Sequence, residues 1–303
     1  MSESAPTTSG GSVLDAHLHL WDLSTGDYTW NTPALGSAYA SFGAPEAAET
    51  LASAGVEQAV LVQAADSAGD SERMLAAAAK NPWVAGVVAW IPLDDPERAQ
   101  LLLERWTATG RICGVRQLLH NHPDPNFLDA PDVRATLAEV AANGLPLDIP
   151  DAWPRLWPAT TRLVDEMPEL TVVLDHLGKP QLDLGARTAA VGDQFRRWER
   201  DLRQLGQHPS VVAKLSGLDA ALGPRTIPDA HALGPLVNAA LTAFGADRLM
   251  FGGDWPVSLR HTSYGDLVVE VRAALRGLSP DERSAIFSGT ARRIYLERRA
   301  GNA

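Results

Sequence analysis

At 303 residues the chain has room for one large domain or two ordinary ones, and a hydrophobic content of 45% is ample for a sizeable core. A formal net charge of -11 argues against nucleic acid and anionic membrane as partners, but not against an anionic substrate, which a local basic pocket can bind. The single Cys113 excludes an internal disulfide framework and suits a reducing cytoplasm, and no run approaches the roughly 20 continuous apolar residues of a membrane span.

Met1 to Ser12 is rich in Ser, Thr and Gly and lacks a basic start and an apolar run, so it reads as a disordered tail rather than a signal peptide. Residues 13–303 read as one domain, since no linker or composition break divides them. The stretch from Val13 to Asp22 reads as a strand that ends in two histidines one residue apart. Side chains alternate along a strand, so His17 and His19 are expected on one face and Leu14, Ala16 and Leu18 on the other. An irregular, aromatic-rich segment follows, from Asp22 to about Ala44, with Tyr28 and Trp30 in it; a loop of this kind suits a lid over a site mouth.

From there a short apolar run, a loop and a capped helix recur. The runs are Gln58–Gln63, Val84–Ile91, Ile112–Arg116, Leu145–Ile149, Leu170–His176, Val211–Ser216 and Arg248–Asp254. The helices expected between them are Glu46–Ala54, Ser71–Lys80, Pro96–Thr109, Pro131–Asn143, Trp157–Met167, Gln194–Leu205 and Asp229–Phe244. Tyr264–Arg276 and a closing pair, Asp281–Phe287 and Thr290–Arg299, complete the chain. With the first strand the runs make eight, apolar almost throughout, which is the pattern of a single-domain (β/α)8 barrel whose strands are buried on both faces. A doubly wound open sheet is disfavoured, because no glycine-rich phosphate turn follows the first strand.

In such a barrel, chemistry belongs at the C-terminal strand ends. Those ends carry His17, His19, Gln63, Trp90, Arg116, Asp148, His176, Lys214, Ser216 and Asp254. Each has a plainer reading. Asp148 is as easily a helix cap, Lys214 a brace for Asp175 or Asp254, Gln63 a backbone partner, and His176 a turn residue. His120 and His122 lie where they could border a pocket, and His208, His231 and His261 read as surface or helix-end residues. The Gly-Gly-Asp context of Asp254 lets backbone approach a ligand closely.

His17-x-His19, Asp175-His176-Leu177-Gly178-Lys179-Pro180, Lys214-Leu215-Ser216-Gly217 and Met250-Phe251-Gly252-Gly253-Asp254-Trp255-Pro256, in this order, resemble the amidohydrolase superfamily. More narrowly they resemble its lactone-hydrolase branch, which includes fucono- and rhamnono-lactone hydrolases, pyrone-dicarboxylate lactonase and sulfomuconolactone hydrolase. Gly114-Val115-Arg116 and Gly289-Thr290-Ala291-Arg292-Arg293-Ile294-Tyr295 fit the same branch, so the similarity runs from about Leu14 to Tyr295. It implies a (β/α)8 barrel and water attack on a lactone carbonyl.

Departures narrow the expectation. Many superfamily members hold two metals, bridged by a residue on the fourth strand, with a further histidine on the fifth. Arg116-Gln117 and Asp148-Ile149-Pro150 stand at those places, so two metals are not expected. Two readings stay open: one divalent ion, zinc in the first place, held by His17, His19 and Asp254 with His176 as a further candidate ligand, or no metal. Trp153-Pro154-Arg155 also departs from the branch, where a polar or imidazole residue usually precedes the helix. The expected roles are Asp254 as general base, His17 and His19 polarising the carbonyl directly or through a metal, and His176 orienting it. Arg116 and Lys214 would bind an anionic or hydroxylated part of the substrate, and Gln63, Tyr28 and Trp30 would shape the pocket. The expected partner is a small molecule and, at most, further copies of this chain. A zinc-dependent decarboxylase and an inactive sugar-acid-binding barrel are the rival readings.

Overall fold

The computed structural model describes residues 12–120, 122–223, 226 and 228–297. The tail expected over residues 1–12 therefore lies, Ser12 apart, outside the described residues. Eight parallel strands lie in sequence order: β1 Leu14–Leu18, β2 Gln58–Val62, β3 Val84–Trp90, β4 Ile112–Arg116, β5 Leu147–Ile149, β6 Val172–Leu174, β7 Val211–Leu215 and β8 Leu249–Phe251. The ring is closed between β8 and β1 just past the strand ends, where Asp254 N donates to the His17 carbonyl and His19 N to the Trp255 carbonyl, both at 2.8 Å. The helices on the outside are α1 Ala44–Ser53, α2 Ala68–Lys80, α3 Pro96–Thr107, α4 Pro131–Ala142, α5 Trp157–Glu166, α6 Ala189–Leu205, α7 Ala230–Phe244 and α8 Tyr264–Ala274. This is a single-domain (β/α)8 barrel. Among the described residues, no helix is long and apolar enough to cross a membrane.

Expected and observed boundaries agree within a few residues except at three helices. α2 begins earlier than Ser71 because the Ser67 hydroxyl caps it, accepting from Asp70 N. The hydroxyl of Thr188 accepts from Val191 N and so starts α6 before Gln194. The closing pair is α9, Pro280–Ser284, running into two widened π-helical stretches, Ala285–Gly289 and Arg292–Leu296; residues 298 and 299 lie outside the described residues.

The strand pattern sorts the core into two clusters. Leu14, Ala16, Val60, Val62, Val88, Val173, Val212 and Met250 pack together inside the barrel with Tyr295 and Ala291 from the C-terminal segment. Their strand neighbours, such as Leu61, Val87, Leu174, Leu215 and Phe251, pack outward against the helices. On this parity Arg116, Asp148, Asp175 and Lys214, each two residues beyond an inward position, also face inward, one layer above the valines. The parity breaks in β1. Its register against β2 shifts between Asp15 and Leu18, so Leu14 and Ala16 face the interior while Leu18 joins the outer core. The expectation that all three oppose the histidines is thereby corrected.

The loop after β1 is fastened rather than free. Tyr28 Oη donates to Asp70 at 2.6 Å, Trp30 Nε1 to the Ala64 carbonyl at 2.6 Å, and Ser37 Oγ to the Leu259 carbonyl. Trp30 and Leu35 of this segment line the cavity.

Candidate active site

The short β8 leaves Asp254 three residues beyond the strand, on a turn that crosses the mouth of the barrel. Gly252 and Gly253 make the crossing possible. A Cβ at Gly252 would stand 2.7 Å from the His17 Cβ, and one at Gly253 2.2 Å from the Tyr264 ring. Asp15, fully buried, ties the same corner. Its carboxylate accepts from His17 N at 2.8 Å, Gly253 N at 2.9 Å and Tyr264 Oη at 2.7 Å. Burial pushes the Asp15 carboxyl up to about 6 against these donors.

Held in this way, three groups converge. His17 Nε2 and His19 Nε2 are 3.1 Å apart, and Asp254 Oδ1 lies 3.7 and 3.4 Å from them. His19 Nδ1 lies 2.8 Å from the Val62 carbonyl, an acceptor only, so Nδ1 carries the proton and Nε2 offers a lone pair to the centre. Burial drives His17 well below its ordinary range. Burial also pushes the Asp254 carboxyl up, but His176, His19 and His17 around it prevail and hold it below the usual carboxylate range, ionised. Two imidazole nitrogens and a carboxylate oxygen, all buried and mutually within reach of one ion, form a donor set that suits a single divalent cation. His176 stacks edge-on to His17 with ring centroids 4.5 Å apart, and its Nδ1 meets Ser216 Oγ at 2.8 Å. It is the turn residue that its sequence context allowed, at φ 54°, and it also lines the site.

Beneath this group lies a buried layer of charge. Lys214 Nζ is 2.6 Å from Asp148 Oδ2, 3.0 Å from Asp175 Oδ1 and 3.1 Å from His17 Nδ1. Arg116 Nε donates to Asp175 at 2.8 Å, and Arg116 Nη1 to the Gln63 carbonyl at 2.8 Å. Tyr295 Oη, rising from the C-terminal segment, donates to Asp148 at 2.8–2.9 Å. Two carboxylates and two cations are thus neutralised in the barrel axis. Burial opposes the charge on Asp175, but Lys214, His17 and Arg116 hold it well below its ordinary value.

Above the group opens a cavity of about 290 Å³. His19, His176, Asp254, Arg116 and Trp30 line it. Three residues expected there are placed elsewhere. Lys214 is fully buried one layer below, engaged with Asp148 and Asp175. Tyr28 is spent on Asp70 and Arg73 behind the wall. Gln63 is fully buried with its Nε2 3.4 Å from Asp66 Oδ1; Val60 and Val62 take the inward positions, and Ala64 lines the cavity in its place. The residues that strand-end reading missed are Leu35, Asp151, Lys179 and Arg260 in the wall, and Asp15, Tyr264 and Tyr295 in the support. Asp151 and Lys179 lie in turns beyond β5 and β6, where a rule about last strand residues does not look. Lys179 stands within the Asp175–Pro180 motif, and that is its one signal. His120 does border the cavity, while His122 packs on Phe127.

Residues 14–296 match the amidohydrolase family model. The chain is similar to two proteins named L-fucono-1,5-lactonase. One, from Burkholderia ambifaria, is 31% identical, covering 95% of this chain and 97% of that one. The other, from Burkholderia multivorans, is 34% identical, covering 94% and 96%. Crystal structures of an amidohydrolase from Burkholderia multivorans, with bound HEPES and with bound zinc, superpose with TM-scores of 0.86 and 0.83 at 30% and 31% identity, covering 94% of this chain and 99% of that one. With the barrel, the paired histidines and the rim carboxylate in place, and a family match along nearly its whole length, this chain belongs to the amidohydrolase family.

Proposed function

We propose that this chain hydrolyses a lactone, in the first place a sugar lactone, to its hydroxy acid. The observation that carries the reading is an ionised, buried Asp254 held within 3.4–3.7 Å of two imidazoles at the floor of a cavity of small-molecule size. The two similar proteins named L-fucono-1,5-lactonase support it. The partner it requires is a small-molecule substrate.

The lactone carbonyl lies toward His17 and His19, and a water lies between the acyl carbon and Asp254. As the water oxygen bonds to that carbon, Asp254 takes the proton. The Nε2–H of His17, whose Nδ1 accepts from Lys214, stabilises the oxyanion. The ring C–O bond then breaks, and the departing alkoxide takes the proton back from Asp254, so atoms and charge balance. His176, held by Ser216 and edge-on to His17, bounds the carbonyl beside His17. A divalent cation, zinc by analogy with the zinc-bound relative, would be held by His17, His19 and Asp254 and would supply carbonyl polarisation and acidification of water. Turnover of a sugar δ-lactone in oxygen-18 water should place the label in the new carboxylate. Label in the new hydroxyl, or no turnover across sugar and muconate-type lactones with and without chelator, contradicts the reading.

No more than one equivalent of metal should be found by elemental analysis of protein purified without chelator. The other donor cluster among the described residues, His17, Asp175 and His176, shares His17, and the Lys214 ammonium already occupies its carboxylate at 3.0 Å. Two stoichiometric metals would overturn this.

Arg116→Ala should raise KM more than it lowers kcat, because Arg116 lines the cavity without touching the His17–His19–Asp254 group. It should also lower Tm, since Asp175 loses a partner at 2.8 Å. A lowered Tm with unchanged KM across several lactones would make Arg116 a brace alone.

A further inference from the structure

One wall of the cavity holds an ion pair that the reaction does not use. Lys179 Nζ lies 3.4 Å from Asp151 Oδ1, with about a quarter of each side chain exposed, at 26% and 21%. Both residues line the cavity beside Arg116 and His120. Charge-assisted N–H···O bonds run about 2.7–2.9 Å, so at 3.4 Å the two groups are near each other but not saturated by each other. The field of Asp151 reaches Arg116, His120 and His176, and that of Lys179 reaches His120 and His176, so the pair faces the reacting groups.

Backbone geometry marks the same pair. Asp151 sits at φ 46° and Lys179 at φ 51°, in the left-handed region that disfavours side chains other than those of glycine, asparagine and aspartate. Among the described residues, seven non-glycine positions have positive φ, and Asp151, His176, Leu177, Lys179 and Asp254 of these line or adjoin the cavity. Glycine would relieve Lys179 of that strain, so its side chain is held there at a conformational cost.

We propose that Asp151 and Lys179 form a hydroxyl clamp that selects a neutral, vicinally hydroxylated lactone ring over an unsubstituted one, an inference that rests on the lactone-hydrolase reading. One ring hydroxyl donates to the Asp151 carboxylate, and its neighbour accepts from the Lys179 ammonium. The apolar part of the lining, Trp30, Leu35, Ala64 and Val257, takes the less polar face of the ring. A carboxylated ring finds less here. Arg116 and Lys179 already face Asp175 and Asp151, and Arg260 stands at the exposed rim.

The test is calorimetric binding of polyhydroxylated δ-lactams, of gluco, galacto and manno configuration, against δ-valerolactam, which has the ring and no hydroxyls. Wild type should bind at least one polyhydroxylated lactam more tightly than δ-valerolactam. Asp151→Gly and Lys179→Met should each weaken that binding about 10- to 100-fold, the worth of a hydrogen bond to a charged group. Binding of δ-valerolactam and Tm should be essentially unchanged, since a part-exposed pair contributes little stability. Equal loss on both ligands, no loss, or a wild type that does not discriminate overturns the clamp. If wild type discriminates and the variants do not, while no lactone is hydrolysed, the hydrolase reading fails and the clamp stands.

Discussion

Asp254→Asn should lower kcat on a hydrolysed lactone by about 10²–10⁴-fold, the usual worth of a positioned acid or base. The substitution nearly preserves shape but cannot take a proton from water. Folding should be spared. Asp254 is held in place by its backbone, through its N–H to the His17 carbonyl and its carbonyl to Ser258 N, and neither bond involves the carboxylate. Its left-handed φ of 49° is one that asparagine adopts readily. Because the surrounding histidines keep this carboxyl below the ordinary range, the group stays charged in acid, and its own titration should add no acid limb to wild-type kcat near about pH 4, where an unperturbed carboxylate titrates. An Asp254→Asn variant with a lowered Tm and near wild-type turnover would assign the residue to structure.

Lys214→Met should destabilise the fold by about 3–5 kcal/mol, the effect of removing one partner from a buried ion pair. Lys214 is fully buried and is the cation that Asp148 and Asp175 share, at 2.6 and 3.0 Å. Arg116 remains for Asp175, but Asp148 keeps only the Tyr295 hydroxyl. The deficit should depend on pH with a definite sign. Burial already raises the Asp148 carboxyl to about 6, and loss of Lys214 raises it further. A folded-state pKa above the unfolded one means that the folded variant binds the extra proton, so the variant gains stability as pH falls through that pKa. The gap to wild type should therefore be widest above the variant's raised pKa, narrow as pH falls from there to about 6, and stay constant below about 6, where Asp148 is protonated in both proteins. Adding Asp148→Asn should recover part of the loss, measured as coupling in a double-mutant cycle. A Lys214→Met protein as stable as wild type at pH 7 would remove the charged layer from the account of stability.

Much of this was legible in the chain. The eight apolar runs are the eight strands, because strands buried on both faces have no alternation to hide behind loops or caps. His17, His19 and Asp254 could be brought together from the ring alone, since closure makes the first and last strands neighbours. What could not be read depends on parity and on distance. The β1 register shift turns Leu14 and Ala16 to the interior and leaves Leu18 in the outer core, and no residue type in that strand announces it. Lys214 reads equally as a substrate ligand or a brace until its depth is known, and Gln63 as a pocket residue until Val62 is seen to take the inward place. Tyr295 reaches Asp148 across 147 positions of sequence, and Tyr264 reaches Asp15 across 249. Contacts of that span leave no local pattern.

The most direct measurement is acid release in a pH-stat from a panel of hydroxylated δ-lactones, corrected for spontaneous opening in the same buffer, with folded protein confirmed by its thermal transition. We expect one acid equivalent per lactone consumed, at a rate proportional to enzyme and well above the uncatalysed rate. Folded wild-type protein that opens no member of the panel faster than buffer alone would contradict lactone hydrolysis at this site.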